Sequence, residues 1–147
     1  MGGHLWFYYV DYEPDINAAL QKLRQREFSA GRYNPAIDFP EFPVDENSPI
    51  IGAQHSSIEE ALEDSDADGT RSILDMLKVS DSPEYCAVAP LSSEKLLELF
   101  GTDQPTSEMV EDCEELYEVL ERGKGTYMIV YKDEQPSQIL FAGYSFD

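Results

Sequence analysis

Basic residues are scarce in this chain. Its 147 residues include ten Lys and Arg against thirty Asp and Glu, for a formal net charge of -20 at pH 7. Affinity for a phosphate backbone comes from Lys and Arg that displace counterions, so this balance disfavours nucleic acid and anionic membranes as partners. An acidic surface instead attracts cations or basic proteins and steers their encounter. We therefore expect a basic protein partner, against the alternative that the charge serves solubility alone.

Long apolar runs and cysteines are also lacking. No stretch approaches the roughly 20 apolar residues of a membrane-spanning helix, and the N-terminus has no basic region before its short apolar run, as a signal peptide would. Cys86 and Cys113 are the two cysteines, too few for a disulfide framework. These features predict a protein without a membrane segment, located in a reducing cytoplasm.

Catalytic signatures are missing as well. The chain has no phosphate-binding glycine loop, no Gly-x-Ser-x-Gly turn and no His-Glu-x-x-His helix. His4 and His55 are far apart in sequence and show no zinc spacing, while both cysteines lie in apolar stretches where inert buried thiols are expected. We expect no catalytic residue and no cofactor. A pair of Cys86 with either histidine is the enzymatic alternative.

Aromatic residues are abundant, with nine Tyr, seven Phe and one Trp. This content predicts a folded chain, and the length predicts a single domain over residues 1–147. Residues 4–12 are apolar on both alternating faces, which predicts a central strand covered on both sides. A short strand is predicted at 85–89 and a hairpin from 127–131 and 138–144.

Helical periodicity and capping residues predict the remaining elements. A helix follows Pro14 and ends at Gly31, a short one follows Ser57, and a third follows Ser92. A continuous helix is predicted from 106 or 107 to about 120. Residues 32–56 form a long Pro-rich irregular segment, interpreted as a surface clamp. The order of elements predicts an α+β domain: about four mostly antiparallel strands, with helices packed against the sheet.

Regularly spaced acidic residues surround a glycine in residues 64–75. Acids stand at positions 1, 3, 5 and 12 and Gly69 at position 6, which is the spacing of a calcium-binding EF-hand loop. The stretch resembles an EF-hand loop over these twelve residues. The resemblance implies a calcium or magnesium site whose ligands would be Asp64, Asp66, Asp68, Thr70, Ser72 and Asp75.

The same stretch departs from the EF-hand pattern. Asp75 stands where the family has a bidentate Glu, Arg71 stands where an apolar residue is usual, and no second loop follows. The alternative is an acidic turn between two short helices, in which the aspartates cap the following turn.

A second acidic concentration lies on the helix predicted from 106. Glu108, Glu111, Glu115 and Glu118 stack at three- and four-residue spacings, and like-charge pairs at such spacings destabilise a helix by roughly 0.2–0.5 kcal/mol each. A basic partner would relieve this repulsion, so these four residues are the predicted partner-binding set, against the alternative of a solvated surface. The chain is therefore interpreted as a non-enzymatic acidic binding protein, an inhibitor or immunity-type protein. A divalent-cation-binding protein is the alternative.

Overall fold

The computed structural model describes residues 4–34, 36, 50–65 and 69–146. Within them, five strands form one mixed sheet in the order β1-β5-β4-β3-β2. The β1-β5 and β5-β4 pairs are antiparallel, whereas the β4-β3 and β3-β2 pairs are parallel. The strands are β1 Leu5–Asp11, β2 Lys78–Val79, β3 Ala87–Pro90, β4 Gly125–Lys132 and β5 Gln135–Tyr144.

Helices cover both faces of the sheet. On one face lie α1 Ile16–Ala30, α2 Ile58–Asp64 and a single 3-10 turn, Ile73–Asp75, around one buried cluster. On the other face, α3 Ser93–Phe100, α4 Ser107–Glu111 and α5 Glu115–Glu118 surround a second cluster. The prediction of helices packed against a sheet is therefore confirmed. The strand count is five rather than about four, because the two residues of β2 are too few to give an alternating pattern.

β1 is covered on both faces, as its sequence predicts. Its even-numbered residues Trp6, Tyr8 and Val10 belong to the cluster beneath α1, and its odd-numbered residues face the cluster beneath α4 and α5. The predicted central position is wrong, since β1 is the edge strand next to β5. The alternation of residue types along a strand indicates which of its faces are covered. The order of the strands depends instead on pairing with residues near the other end of the sequence.

The capping residues act as predicted. The side chains of Ser57 and Ser92 accept hydrogen bonds from the amides of Glu60 and Lys95, at the starts of α2 and α3. Gly31 ends α1 with φ of 78°, a left-handed conformation that glycine adopts without a Cβ clash. These local interactions determine where the helices begin and end.

The predicted continuous helix from 106 to 120 is wrong, because it is divided into α4 and α5. The amide of Cys113 donates to the carbonyl of Val110, a three-residue spacing that tightens and ends α4. The break interrupts the line of stacked carboxylates that a continuous helix would carry, which relieves like-charge repulsion. Val110, Cys113 and Leu116 still lie buried against the sheet.

The described parts of the 32–56 segment are bonded to the body of the protein. The amides of Ile51 and Gly52 both donate to the carbonyl of Ala30, at 2.9 and 3.0 Å. The amide of Asn34 donates to the carbonyl of Thr70 at 2.7 Å, and its side chain donates to the carbonyl of Gly69. Residues 35 and 37–49 lie outside the described residues, so the clamp interpretation of that part stays a prediction.

Trp6 packs on a pair of glycines in the neighbouring strands. Gly143 is the register partner of both Trp6 on β1 and Gly125 on β4. A Cβ on Gly143 would lie 2.6 Å from Trp6 Cζ2, and one on Gly125 would lie 3.2 Å from Trp6 Cη2. The indole therefore lies directly on the backbone of β4 and β5. Glycine is required at these two positions because a Cβ would crowd the ring.

We expect Gly143→Ala to lower the free energy of unfolding by about 1–3 kcal/mol, because the added methyl group overpacks the indole. Urea denaturation measures this change. Trp6→Phe is the matched background, because phenylalanine has no atoms at Cζ2 and Cη2. In the Trp6→Phe background, Gly143→Ala should lower the free energy of unfolding by a smaller amount. Some loss should persist, because the added Cβ would still lie 3.0 Å from the Lys124 carbonyl oxygen. Equal costs in both backgrounds would contradict the assigned contact.

Candidate functional site

The layer of α4 and α5 carries a continuous acidic surface. No Lys or Arg occurs between residues 103 and 121. All eight acidic residues in this interval are exposed. We call them the acidic face: Asp103, Glu108, Glu111, Asp112, Glu114, Glu115, Glu118 and Glu121.

Little within the described residues neutralises the acidic face. Among the described residues, the acidic face makes one ion pair, in which Glu121 Oε2 lies 3.0 Å from Lys124 Nζ. Glu115 accepts a weak bond from the Cys113 thiol at 3.7 Å. The four residues predicted to bind a partner are placed on the same layer, Glu108 and Glu111 on α4, Glu115 and Glu118 on α5. Their charges are left to solvent and counterions.

Basic residues concentrate on the opposite layer, where acidic side chains pair with most of them. Lys22 pairs with Glu13 at 3.0 Å, and Arg26 and Arg32 both bind Glu27 Oε2 at 2.9 Å. The bases in and around that layer are Lys22, Arg24, Arg26, Arg32, Arg71 and Lys78. Exposed acids, among them Glu59, Glu60 and Glu63 on α2, lie in the same layer, so both signs of charge are mixed there, whereas the acidic face carries acids alone.

Glu27 is the most deeply buried charged residue of that layer, with no exposed surface. Burial raises the pKa of its carboxyl, and the neighbouring Arg26 and Arg32 guanidinium groups oppose that rise. Breaking a buried pair by removing one partner destabilises a fold strongly, since it leaves a desolvated charge. Glu27 therefore joins the end of α1 to the chain that follows it. Sequence reasoning missed this contact, because a Glu on a helix carries no signal that it is buried.

Asp75, the last predicted cation ligand, is directed into its own loop. Its Oδ1 accepts bonds from the backbone amide and the hydroxyl of Thr70, both at 2.8 Å. The residue is 5% exposed. Burial raises the pKa of the Asp75 carboxyl, and the two bonds from Thr70 partly offset that rise.

The other predicted ligands also have partners within the chain. The Thr70 carbonyl accepts the Asn34 amide, and the Ser72 hydroxyl bonds the Thr70 hydroxyl and caps the 3-10 turn through the Leu74 amide. Asp64 lies at the end of α2 with its carboxylate 2.9 Å from His55 Nε2. Asp66 and Asp68 lie outside the described residues. In the part of the chain that is described, no group of three or more His, Cys, Asp or Glu could hold a metal ion. The cation site stays a prediction.

A chain of hydrogen bonds links Tyr33, His55 and Asp64. The amide of Gln54 donates to the Tyr33 hydroxyl at 3.1 Å, and that hydroxyl lies 2.8 Å from His55 Nδ1. On the other side of the ring, His55 Nε2 lies 2.9 Å from an Asp64 carboxylate oxygen. Tyr33 is 1% exposed and stacked on Phe28, so its hydroxyl is closed to a substrate. The arrangement fastens residues 54–55 between α1 and α2, and no sequence motif signals it.

The cysteines show no activation. Burial raises the pKa of the Cys86 thiol, with a further contribution from the Asp75 carboxylate. Burial is also the largest cause of the raised pKa of Cys113. Both effects disfavour the thiolate, which is the nucleophilic form. A cleft of about 540 Å³ between the start of α4 and the β4–β5 hairpin is lined by neither cysteine nor histidine.

Among the described residues, no helix combines the length and the apolar character needed to cross a bilayer. The longest, α1, has 15 residues and includes exposed Lys22, Gln25 and Arg26.

Thr70, Ser72 and Asp75 already make hydrogen bonds within the chain, and Asp75 Oδ1 would have to give up its two bonds from Thr70 for the carboxylate to bind a cation through both oxygens. We therefore expect any calcium affinity to be weaker than the roughly 10⁻⁷–10⁻⁵ M range of sensor EF-hands. Calorimetry on chelator-treated protein, with calcium and then magnesium, measures this affinity. Binding at micromolar calcium that is lost in Asp75→Asn would contradict the expectation and establish the site.

Asp75 also predicts a pH dependence of stability. The pKa of Asp75 in the folded protein lies above the ordinary value of 3.8. In the pH interval between these two pKa values, the folded protein therefore retains a proton that the unfolded chain releases. Stability from this group is therefore lost as pH rises through that interval. Asp75→Asn keeps a carbonyl oxygen for both Thr70 bonds and removes the titration.

Urea denaturation of both proteins from pH 3 upward tests the sign. The free energy of unfolding of the wild type, minus that of Asp75→Asn, should fall as pH rises just above the ordinary aspartate value. The remaining carboxyls are common to both proteins and cancel in the difference. A difference that rises with pH would show that the Asp75 pKa is lowered by folding.

Comparison of the chain with models of protein families, with curated proteins and with solved structures found no match.

Proposed function

We propose that this is a non-enzymatic binding protein whose acidic face engages a basic protein, in the manner of an inhibitor or immunity-type protein. The observation that supports this most directly is the acidic face, eight exposed acids with no base between residues 103 and 121. Solvated surfaces usually intersperse both signs of charge. A single-sign surface produces a field that raises the rate of encounter with an oppositely charged partner.

The position of the acidic face supports the same proposal. α4 and α5 rest on a packed cluster that includes Val110, Leu116 and Met128. The carboxylates are therefore held on a supported layer, so a partner would meet a defined charge pattern. Six of the ten Lys and Arg lie in and around the α1 layer, and acidic side chains there pair with four of those six.

The experiment compares the wild type with reversal of Glu111, Glu115 and Glu118 to Lys. Immobilised protein is exposed to cell extract at 0.01 M salt, where the screening length is about 30 Å. Retained basic proteins are identified and purified. We expect the reversal to lower the association rate of such a partner by about tenfold or more, because electrostatic steering acts on that rate.

The matched control reverses three exposed acids outside the acidic face, namely Glu59, Glu63 and Asp81. Both variants then carry the same net charge, six units less negative than the -20 of the wild type. A lower association rate in the Glu111, Glu115 and Glu118 variant alone would support the acidic face as the binding surface. Equal slowing in both variants, or no basic protein retained at low salt, would refute it.

A further inference from the structure

The hydrogen bonding of the sheet is interrupted beside the second half of β4. β3 pairs with β4 as far as Pro90 and Tyr127, and the Leu91 amide adds one more bond, to the Tyr127 carbonyl at 3.1 Å. The chain then leaves the sheet to form α3. It returns to β4 at Pro105, whose carbonyl accepts a bond from the Tyr131 amide at 2.8 Å. Among the described residues, β4 has no neighbouring strand on that side between these two contacts.

The backbone of Ile129 faces this gap. Alternate residues of a strand direct their amide and carbonyl groups to the same side. Ile129 stands two residues from both Tyr127 and Tyr131, which bond on the β3 side. No residue in the described part of the chain bonds to the amide or the carbonyl of Ile129 on that side. Such unpaired groups at a strand edge are a template for pairing with another chain.

A cleft of about 280 Å³ lies beside Ile129. Leu91 and Leu96, at the start of α3, form one wall of the cleft, and β4 forms the other. Both leucines are partly buried against the sheet, so the cleft is apolar on the α3 side and polar at the unpaired backbone. An extended polypeptide matches this combination, because its backbone brings a donor and an acceptor and its side chains bring apolar surface.

The charge of the cleft distinguishes between polypeptides. Among the described residues that line it, Asp103 is the one that carries a charge, and Asp103 belongs to the acidic face. A second copy of the chain would bring another net charge of -20 to this site, so repulsion opposes self-association there. A segment with basic side chains is favoured, because one of them can lie beside Asp103 while the backbone pairs with Ile129.

The gap also limits the length of the segment. From Tyr127 to Tyr131 a strand advances roughly 13 Å, at about 3.3 Å per residue. The contacts of Leu91 and Pro105 close the gap at its two ends. An added strand therefore has room for about three residues in the plane of the sheet.

We propose that this gap is a docking site for a short extended segment of the basic partner. The segment pairs its backbone with the amide and carbonyl of Ile129 and places a basic side chain beside Asp103. This inference rests on the proposed function for the charge of the partner. It adds a backbone contact at the Asp103 end of the acidic face, which attraction between charges alone does not require.

The test uses the full chain, isotopically labelled, titrated at 0.01 M salt with the capped peptide acetyl-Lys-Val-Lys-Val-Lys-amide and followed by NMR. We expect the amide signal of Ile129 to shift. Two further peptides of the same charge are N-methylated at both valine amides or at all three lysine amides, which removes the backbone donors of one side of the strand or the other. At least one of them should bind about three- to tenfold more weakly, because it loses a hydrogen bond to Ile129.

A pair of variants tests the cleft itself. Ser93 is exposed and lines the cleft, so Ser93→Trp should fill the space and weaken peptide binding about tenfold or more. Leu97→Trp is the matched control, because it adds the same ring to the same helix at a 53% exposed position that does not line the cleft. It should leave the affinity within about twofold of the wild type.

The outcomes separate this inference from the proposed function. If the peptide binds, reversal of Glu111, Glu115 and Glu118 abolishes binding, and neither N-methylation nor Ser93→Trp weakens it, the acidic face acts by charge alone and the docking site is refuted. If the peptide does not bind at millimolar concentration, the docking site is refuted, whereas retention of a basic protein from extract still tests the proposed function. Protection of the Ile129 amide that grows with the concentration of the free protein would assign the gap to a second copy and also refute the inference.

Discussion

The indole of Trp6 lies against the backbones of Gly125 and Gly143, and this close contact joins three strands of the sheet. Gly125 and Gly143 are paired across β4 and β5, and the ring occupies the space that side chains at these two positions would fill. The edge strand β1 is hydrogen-bonded to β5, and the indole also packs it against the backbone of β4. The sheet in turn separates the α1 layer from the α4 and α5 layer. Everything proposed about the surface depends on that separation.

Separation of the layers places acids and bases together on one side of the sheet and the acidic face on the other. Glu27 and Glu13 pair with bases on the α1 side, so those bases contribute little to the outside field. On the other side, the two short helices expose their carboxylates and bury Val110 and Leu116. Between residues 103 and 121 the exposed charges are therefore all negative, whereas the α1 layer carries both signs.

The spacing of the acids in residues 64–75 predicts a cation site, and several of the predicted ligands also make hydrogen bonds within the chain. Gly69 and the acids suggest an EF-hand loop, but Asp75 turns inward to bond Thr70, and Asn34 takes the Thr70 carbonyl. The loop thereby ties the chain after α1 to the 3-10 turn. Spacing in sequence cannot distinguish carboxylates that converge on an ion from carboxylates that close a turn, because both uses require an acid next to a flexible glycine.

The sequence by itself determined the features that arise from near neighbours: the caps at Ser57 and Ser92, the stop at Gly31, the C-terminal hairpin and the coverage of β1 on both faces. These interactions span a few residues, so the sequence pattern contains them. The edge position of β1, the parallel pairing of β2, the burial of Glu27, the link from Tyr33 through His55 to Asp64, and the contacts of Leu91 and Pro105 with β4 were decided by tertiary structure. Each joins residues distant in sequence, whose proximity results from packing against one sheet.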